Sequence, residues 1–188
     1  MADNRIDQTE IFKSKPYWNL LTYRKAEIIY LATYKFAERF LDKSDRTYDQ
    51  MVQAARSGKQ NIVEGAMASA GSKQSELLLT NVAKASLEEL IEDYIDFLKT
   101  RQCEIWEKGS EKVEYVRKIG RRKDESYESY REFIESRPAE VVANIVITLI
   151  HQASYLLERQ VKALEKKFLI EGGVKEQMTK MRLANRQK

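Results

Sequence analysis

The chain has 188 residues, enough for one substantial hydrophobic core and marginal for two. Seven glycines and two prolines leave few turn positions, and long segments with helical periodicity replace strand-type alternation, so the pattern predicts an all-α protein. A single cysteine, Cys103, excludes an intramolecular disulfide. Since no signal peptide opens the sequence and no apolar run reaches the length of a bilayer span, we expect a cytoplasmic protein that does not enter a membrane.

The formal net charge of +4 is concentrated at one end of the chain. Residues 173–188 carry five basic side chains and one acidic side chain, which accounts for the whole net charge. The rest of the chain is formally neutral. An interaction with nucleic acid must therefore depend on local basic clusters or on the tail, because the overall pI says little about it.

The first half of the sequence predicts three helices in succession. Residues 1–15 are polar and aperiodic, which predicts a mobile arm, and Pro16 suits the first turn of a helix over residues 17–41. After a short polar turn, a second helix is predicted to run to about Ala70. Gly71 is placed to end that helix, and Ser72 to cap a third that continues to about Ile105. Such short connections predict antiparallel neighbours.

The second helix carries a narrow stripe of small residues that includes Ala55 and Gly58. A glycine inside a helix costs about 1 kcal/mol relative to alanine, so we expect a neighbouring helix to cross close to Gly58. Asn61 and Glu64 are polar residues beside this stripe. We interpret them as partners in capping and in intrahelical pairing.

Residues 106–137 are highly charged and poor in aliphatic side chains, and they predict a helical insertion between the third and fourth long helices. Two short helices are expected, at about 110–119 and 124–136. The insertion contains five cations in seven residues, namely Arg117, Lys118, Arg121, Arg122 and Lys123. This cluster has two interpretations: a solvated charged face, since acidic residues surround it, or a phosphate-binding surface.

Pro138 opens a fourth helix that is predicted to run to Glu171, before Gly172 and Gly173 end it. Residues 141–150 are apolar on nearly every face, which predicts burial on more than one side and hence a homo-oligomer. The candidate interface consists of Val142, Ile145, Val146, Leu149 and His151. Residues 173–188 predict a basic amphipathic C-terminal helix, either a frayed terminus or a docking element for RNA or a neighbouring subunit.

The residues that catalysis or metal binding would require are missing from the sequence. A ferritin-like dinuclear site needs a Glu-x-x-His pair on each of two helices, whereas this chain has one histidine, His151, and Thr148 stands three residues before it. Cys103 has no second cysteine for a zinc pattern, and no glycine-rich phosphate loop exists. We therefore predict a non-catalytic protein with no cofactor and no metal. His151 is interpreted as a structural residue at a packing or subunit interface.

Three segments resemble a known family. The sequence NIVEG at residues 61–65, preceded by Ala54 and Ala55, is similar to the signature of the four-helix-bundle family that includes the 23S rRNA intervening-sequence proteins and the accessory variability determinants of diversity-generating retroelements. Residues 78–90 resemble the third-helix pattern of that family, and residues 151–160 are similar to a longer branch with a C-terminal suffix. The motif positions carried over are Ala55, Gly58, Asn61, Glu64 and Gly65.

The resemblance implies a pentameric, basic, nucleic-acid-binding protein, in the retroelement case a partner of a reverse transcriptase. One departure is that Val52 and Gln53 stand where the intervening-sequence proteins usually have an arginine pair. The competing hypothesis is an oligomeric scaffold that binds another protein through its insertion or tail, without nucleic acid. Moderate salt should weaken nucleic-acid binding steeply and leave scaffold binding almost unchanged.

Together these observations predict an all-α, antiparallel up-down four-helix bundle at residues 16–172, with the 106–137 insertion and a basic helix at 173–188. The predicted function is a nucleic-acid-associated homo-oligomer that binds RNA or DNA, as an accessory factor of a retroelement or of an rRNA intervening sequence. The candidate nucleic-acid-binding cations are Arg56 and Lys59 on the second helix, the five of the insertion, and Lys175, Lys180, Arg182 and Arg186 of the tail.

Overall fold

The computed structural model describes residues 16–172 and five positions of the tail, 176, 178, 179, 182 and 183. The expected mobile arm at 1–15 lies outside the described residues, as does most of the tail, including Lys175, Lys180 and Arg186. Within residues 16–172 the protein is helical and contains no strand, which confirms the all-α class. Its helices are α1 (Leu21–Phe40), α2 (Arg46–Ala68), α3 (Lys73–Thr100), α4 (Glu111–Ile119), α5 (Arg131–Ser136) and α6 (Ala139–Glu171), with 3-10 turns at Tyr17–Asn19 and Tyr127–Ser129.

The four long helices, α1, α2, α3 and α6, share one hydrophobic core. α1 packs against α2 and α6, and α3 packs against the same two helices. Phe36, Leu90 and Tyr94 are among the fully buried side chains, and each such burial contributes about 1.5–3 kcal/mol. The Tyr94 hydroxyl donates a hydrogen bond of 3.1 Å to Thr33 Oγ1, so its polar end is satisfied inside the core.

Side-chain caps fix the start of three helices. The Asp45 carboxylate accepts a hydrogen bond of 2.9 Å from the Thr47 N–H at the start of α2. Ser72 caps α3 as predicted, accepting from the Ser75 N–H at 3.1 Å, and Ser110 caps α4 in the same way. Each cap is worth about 1 kcal/mol, and of the three only the Ser72 cap was predicted from the sequence.

The small-residue stripe of α2 lies where α3 crosses, as predicted. A Cβ atom added to Gly58 would lie 2.9 Å from Leu87 Cγ, and one added to Gly65 would lie 3.4 Å from a backbone oxygen of α3. Ala55 is fully buried beside them. Asn61 donates to the Ser57 carbonyl at 2.9 Å, which confirms the intrahelical pairing predicted for it, whereas Glu64 is exposed. In this structure the motif serves helix packing.

α3 ends at Thr100, before the predicted end at Ile105. The chain leaves the helix through Gln102, whose φ of 55° is in the left-handed region. The Asn144 side chain on α6 then accepts a hydrogen bond from the Trp106 N–H at 2.8 Å and donates one to the Glu104 carbonyl at 2.8 Å. Because these bonds come from a distant helix, periodicity within the third helix could not reveal them.

The insertion covers the outer side of α6, and this corrects the reasoning behind the predicted oligomer interface. α4 packs on α6 through its buried face, which contains Val113 and Val116. The exposed fraction is 0% for Val142, Val146 and Leu149 and 4% for Ile145 within a single chain. The all-round apolar pattern therefore does not require a second subunit, and homo-oligomerisation stays a prediction that rests on the resemblance.

By length and composition alone, α6 could also cross a bilayer. Within Ala139–Ile170 an 18-residue window has a mean hydropathy of 1.4, which corrects the prediction that no apolar run reaches this length. However, 61% of that window is buried inside the protein. A buried core helix passes the same criterion, so this finding is weak evidence for a membrane.

Candidate anion-binding cleft

A cleft of about 670 Å³ opens between the insertion and α6. Its α6 side is built from Asn144, Thr148, His151 and Tyr155, residues one helical turn apart on a single face. α4 forms the opposite side, and the segment between α3 and α4 closes one end with Trp106. The cleft exists because α3 ends early and this segment is attached to α6.

All the charged side chains that line the cleft among the described residues are positive, and they are set in a largely apolar lining. Lys25, Lys108, Arg117 and Arg121 all line it, and among the described residues that do so there is no aspartate or glutamate. Arg117 pairs with Glu114 at 2.7 Å, and Arg121 approaches the same carboxylate at 3.8 Å. A single carboxylate outside the lining thus partly balances two arginines, and the cleft is a region of positive potential.

Lys25 belongs to a buried polar network that forms the inner end of the cleft. Its side chain is only 3% exposed, and its ammonium contacts the Glu125 carboxylate and donates to Gln152 Oε1 at 3.0 Å. The Tyr130 hydroxyl donates to the same Glu125 oxygen at 2.6 Å. Burial lowers the pKa of Lys25 and the Glu125 carboxylate opposes that shift, while burial and the bond to Glu125 raise the pKa of Tyr130.

This network connects α1, the insertion and α6, so its role is structural. Because Glu125 neutralises Lys25, the cations left to face a ligand are Lys108, Arg117 and Arg121. Lys108 and Arg121 are exposed, and Arg117 is half-buried.

His151 lies in the field of these cations. His151 is exposed on α6, unlike the other four residues of the candidate oligomer interface, and its pKa is lowered first by partial burial and then by the positive charges of Arg117 and Lys108. It is therefore a neutral donor or acceptor at pH 7 rather than a cation. A phosphate group bound beside it would reverse the effect of the two charges.

Two aromatic side chains provide flat surfaces at the cleft. Trp106 is held in place by the bond from its backbone N–H to Asn144, and its indole Nε1 has no hydrogen-bond partner among the described residues. Tyr155 is 61% exposed, and the Arg159 guanidinium lies 5.9 Å from its ring centroid. Aromatic faces beside arginines and lysines are typical of sites that bind nucleotides.

The structure brings only part of the predicted basic residues into the cleft. Of the cluster in the insertion, Arg117 and Arg121 line it, while Lys118, Arg122 and Lys123 are exposed and do not. Arg56 and Lys59 lie on α2 and do not line the cleft either. The Lys59 ammonium sits 4.4 Å from the Tyr30 ring centroid, and Arg182 in the tail is exposed.

Sequence reasoning missed Lys25, Lys108, Trp106 and Gln152. One signal was present for Lys25, a lysine beside Ala26 in an otherwise apolar face of the first helix. A buried lysine requires a partner of opposite charge, but the sequence could not say which carboxylate supplies it. No group of three or more metal-ligating side chains occurs in the part of the chain that the structure describes, and Cys103 is a free, half-buried thiol.

Comparison of the chain with protein-family models, curated proteins and solved structures gives no match. The resemblance to the intervening-sequence and retroelement accessory proteins therefore stays a prediction.

Proposed function

We propose that the protein is a non-catalytic, nucleic-acid-binding helical protein that acts as a homo-oligomer. The observation that carries this proposal is the cleft beside α6, which is lined by cations and aromatic side chains and by no carboxylate among the described residues. Phosphate contacts from lysine and arginine supply most of the affinity of proteins for nucleic acids. Aromatic faces add stacking energy with unpaired bases.

The four long helices, in this proposal, form the antiparallel up-down bundle that the sequence predicts. Supporting contacts come from the pairing of α1 with α6, where Thr22 bonds to Gln160 at 2.8 Å and Lys25 bonds to Gln152 at 3.0 Å. Residue numbers thus increase along α1 where they decrease along α6, as expected for an antiparallel pair of helices. The contacts of Gly58 and Gly65 with α3 show the same opposite order of residue numbers for α2 and α3.

The homo-oligomer requires a different surface from the one that the sequence suggested. Near the end of α6, Phe168, Leu169 and Ile170 are 37%, 83% and 70% exposed, which gives an apolar surface that the described residues leave uncovered. Contiguous exposed apolar side chains of this kind suit self-association. A pentamer, and a role as accessory factor of a retroelement with a reverse transcriptase as partner, are contributed by the resemblance alone.

A protein scaffold is the second candidate function, and one observation favours it. An apolar groove of about 360 Å³ lies between α4, α5 and α6, with Tyr115, Phe133 and Ile145 in its lining. Tyr115 is 56% exposed there. Apolar side chains of a partner protein could occupy this groove, and such binding would be nearly independent of salt.

A salt titration distinguishes the two candidates. We expect the logarithm of the affinity for single-stranded RNA or DNA to fall linearly with the logarithm of the salt concentration. The double variant Lys108→Ala/Arg121→Ala should reduce the magnitude of this slope by about 1.4, because each lost phosphate contact removes about 0.7. The matched control is Lys43→Ala/Arg46→Ala, which removes two exposed cations that do not line the cleft. Fluorescence anisotropy with labelled oligonucleotides provides the measurement.

Truncation after Gly172 separates the contribution of the tail from that of the cleft. If the cleft is the main site, the truncated protein keeps most of the slope of log affinity against log salt, whereas the slope is clearly reduced in the Lys108→Ala/Arg121→Ala protein. No binding at about 50 mM salt by the full chain would refute nucleic-acid binding and favour the scaffold. Equal slopes for the cleft and control variants would place the site elsewhere.

His151 offers a direct report from the cleft, because it is the single histidine of the chain. We expect its pKa to be below the ordinary value in the free protein and to rise when an oligonucleotide binds, since bound phosphates offset the charges of Arg117 and Lys108 that disfavour the imidazolium. A pH titration of the imidazole proton resonance measures this pKa. An unchanged pKa at saturating oligonucleotide would contradict binding in the cleft.

A further inference from the structure

We infer that the cleft accepts an unpaired nucleotide, so that the protein binds single-stranded nucleic acid in preference to duplex and with little preference for base. This inference rests on the proposed function and specifies its ligand. It is carried by the dimensions of the cleft, by its aromatic lining and by the hydrogen bonds that its amide side chains already make.

The size of the cleft fits a small part of a nucleic acid. Its volume of about 670 Å³ falls within the range of about 300–1,000 Å³ that is typical of small-molecule sites. A base with its sugar and phosphate is a ligand of this class, whereas a duplex would have to bind across the surface. In a duplex the base faces are stacked on each other, so none of them could reach Trp106 or Tyr155 inside the cleft.

The lining separates into surfaces suited to the two parts of a nucleotide. The rings of Trp106 and Tyr155 line the cleft and suit a base, although the Lys112 ammonium lies 5.5 Å from the Trp106 ring centroid, and Lys108 and Arg121 are exposed cations for the phosphates. Stacking on an aromatic ring is available to every base, because each has a π-face. Only an unpaired nucleotide can use both surfaces at once.

The amide groups that could distinguish one base from another are already occupied. Asn144 accepts from the Trp106 N–H and donates to the Glu104 and Glu140 carbonyls. Gln152 accepts from Lys25 and donates to the Arg117 carbonyl at 3.4 Å. With these groups engaged, the cleft lacks the free bidentate amides that read base edges, and we expect binding to tolerate changes of base.

The test compares oligonucleotides of about ten nucleotides, unpaired and as duplexes, in fluorescence anisotropy at one salt concentration. Homopolymers of thymidine and of adenosine serve as single-stranded probes. We expect the full-length protein to bind both at least tenfold more tightly than a duplex of equal length. Equal or tighter binding of duplex would overturn the inference while leaving nucleic-acid binding intact, and no binding of either would refute the proposed function itself.

Tyr155→Ala tests the stacking surface at an exposed position, where the substitution should not disturb folding. We expect about tenfold weaker binding of the single strands, unchanged duplex binding, and recovery in Tyr155→Phe, because the ring and not the hydroxyl makes the contact. Tyr34→Ala is the matched control, since Tyr34 is 46% exposed and does not line the cleft. An equal effect of the two alanine variants would contradict the inference.

Trp106 supplies an independent readout that needs no change at the cleft. The chain has two tryptophans, and Trp18, which is 59% exposed, does not line the cleft. In a Trp18→Phe protein the tryptophan fluorescence, excited selectively over the ten tyrosines, comes from Trp106 alone. Unlabelled single strands should quench it at the concentrations that saturate anisotropy. Binding of single strands without any change in this fluorescence would place their bases elsewhere and overturn the inference.

Discussion

Replacing Glu125 by alanine should lower the free energy of unfolding by about 3–5 kcal/mol, because the substitution leaves the buried Lys25 ammonium without its counter-ion. The loss of Glu125 also removes the acceptor of the Tyr130 hydroxyl. Urea denaturation followed by circular dichroism measures the change. The control is Glu114→Ala, which breaks a more exposed ion pair with Arg117 and should cost less than about 1 kcal/mol.

Removing both charges should cost much less than removing one. In Lys25→Met/Glu125→Gln no charge stays buried, and the glutamine carbonyl still accepts from the Tyr130 hydroxyl. We therefore expect the double variant to recover a large part of the stability lost in Glu125→Ala, as buried ion pairs often can be replaced by neutral groups of similar size. If Glu125→Ala lowered the free energy of unfolding as little as Glu114→Ala does, Lys25 would have to reach water. The network would then not hold the insertion to α1 and α6.

Much of the fold could be predicted because its signals are local. Helical periodicity identified the four long helices, and capping residues such as Ser72 and Pro138 marked where α3 and α6 begin. Gly172, with a φ of 75°, ends α6 as predicted. Each of these features depends on residues within about one turn of the chain, which a sequence displays directly.

The errors in the predicted fold came from contacts between distant segments. α3 stops at Thr100, where Gln102 is left-handed and the Cys103 N–H donates to the Leu98 carbonyl at 3.0 Å, and Asn144, on another helix, binds the chain beyond this end. Likewise, the second short helix of the insertion is divided into a 3-10 turn at Tyr127–Ser129 and α5. The apolar faces of α6 were correctly interpreted as buried on several sides, but the sequence could not show that α1, α3 and the insertion of the same chain pack on them.

Of the candidate site, the sequence could predict only a cluster of basic residues. The cluster in the insertion identified Arg117 and Arg121, yet it could not separate them from Lys118 and Arg122, which do not line the cleft. Trp106 became part of the site through a backbone hydrogen bond to α6. A cleft is a property of how helices are placed against each other, so its residues are scattered along the chain and leave no motif.

The crossing of α2 and α3 leads to the other large expected effect, the loss of stability in Gly58→Leu. A Cβ at residue 58 would lie 2.7 Å from Leu87 Cδ2 and 2.9 Å from Leu87 Cγ, which is closer than non-bonded carbon atoms normally approach. Leu87 is fully buried, so it has little room to move. We expect the overpacking to cost about 1–3 kcal/mol or more and to exceed the gain of nearly 1 kcal/mol in helix propensity.

Thermal and urea denaturation of Gly58→Ala, Leu87→Ala, their double variant and a control identifies the cause. Gly58→Ala should be destabilised less than Gly58→Leu, and Gly58→Ala/Leu87→Ala should lose less stability than the sum of its single changes, because the smaller Leu87 side chain removes the clash. Gly71→Ala is the control, since a Cβ there meets nothing within 4 Å, and it should be neutral or slightly stabilising. A Gly58→Leu protein as stable as the parent would show that α2 and α3 can separate without cost. If the effects of Gly58→Ala and Leu87→Ala on the free energy of unfolding were strictly additive, the two side chains would not be in contact.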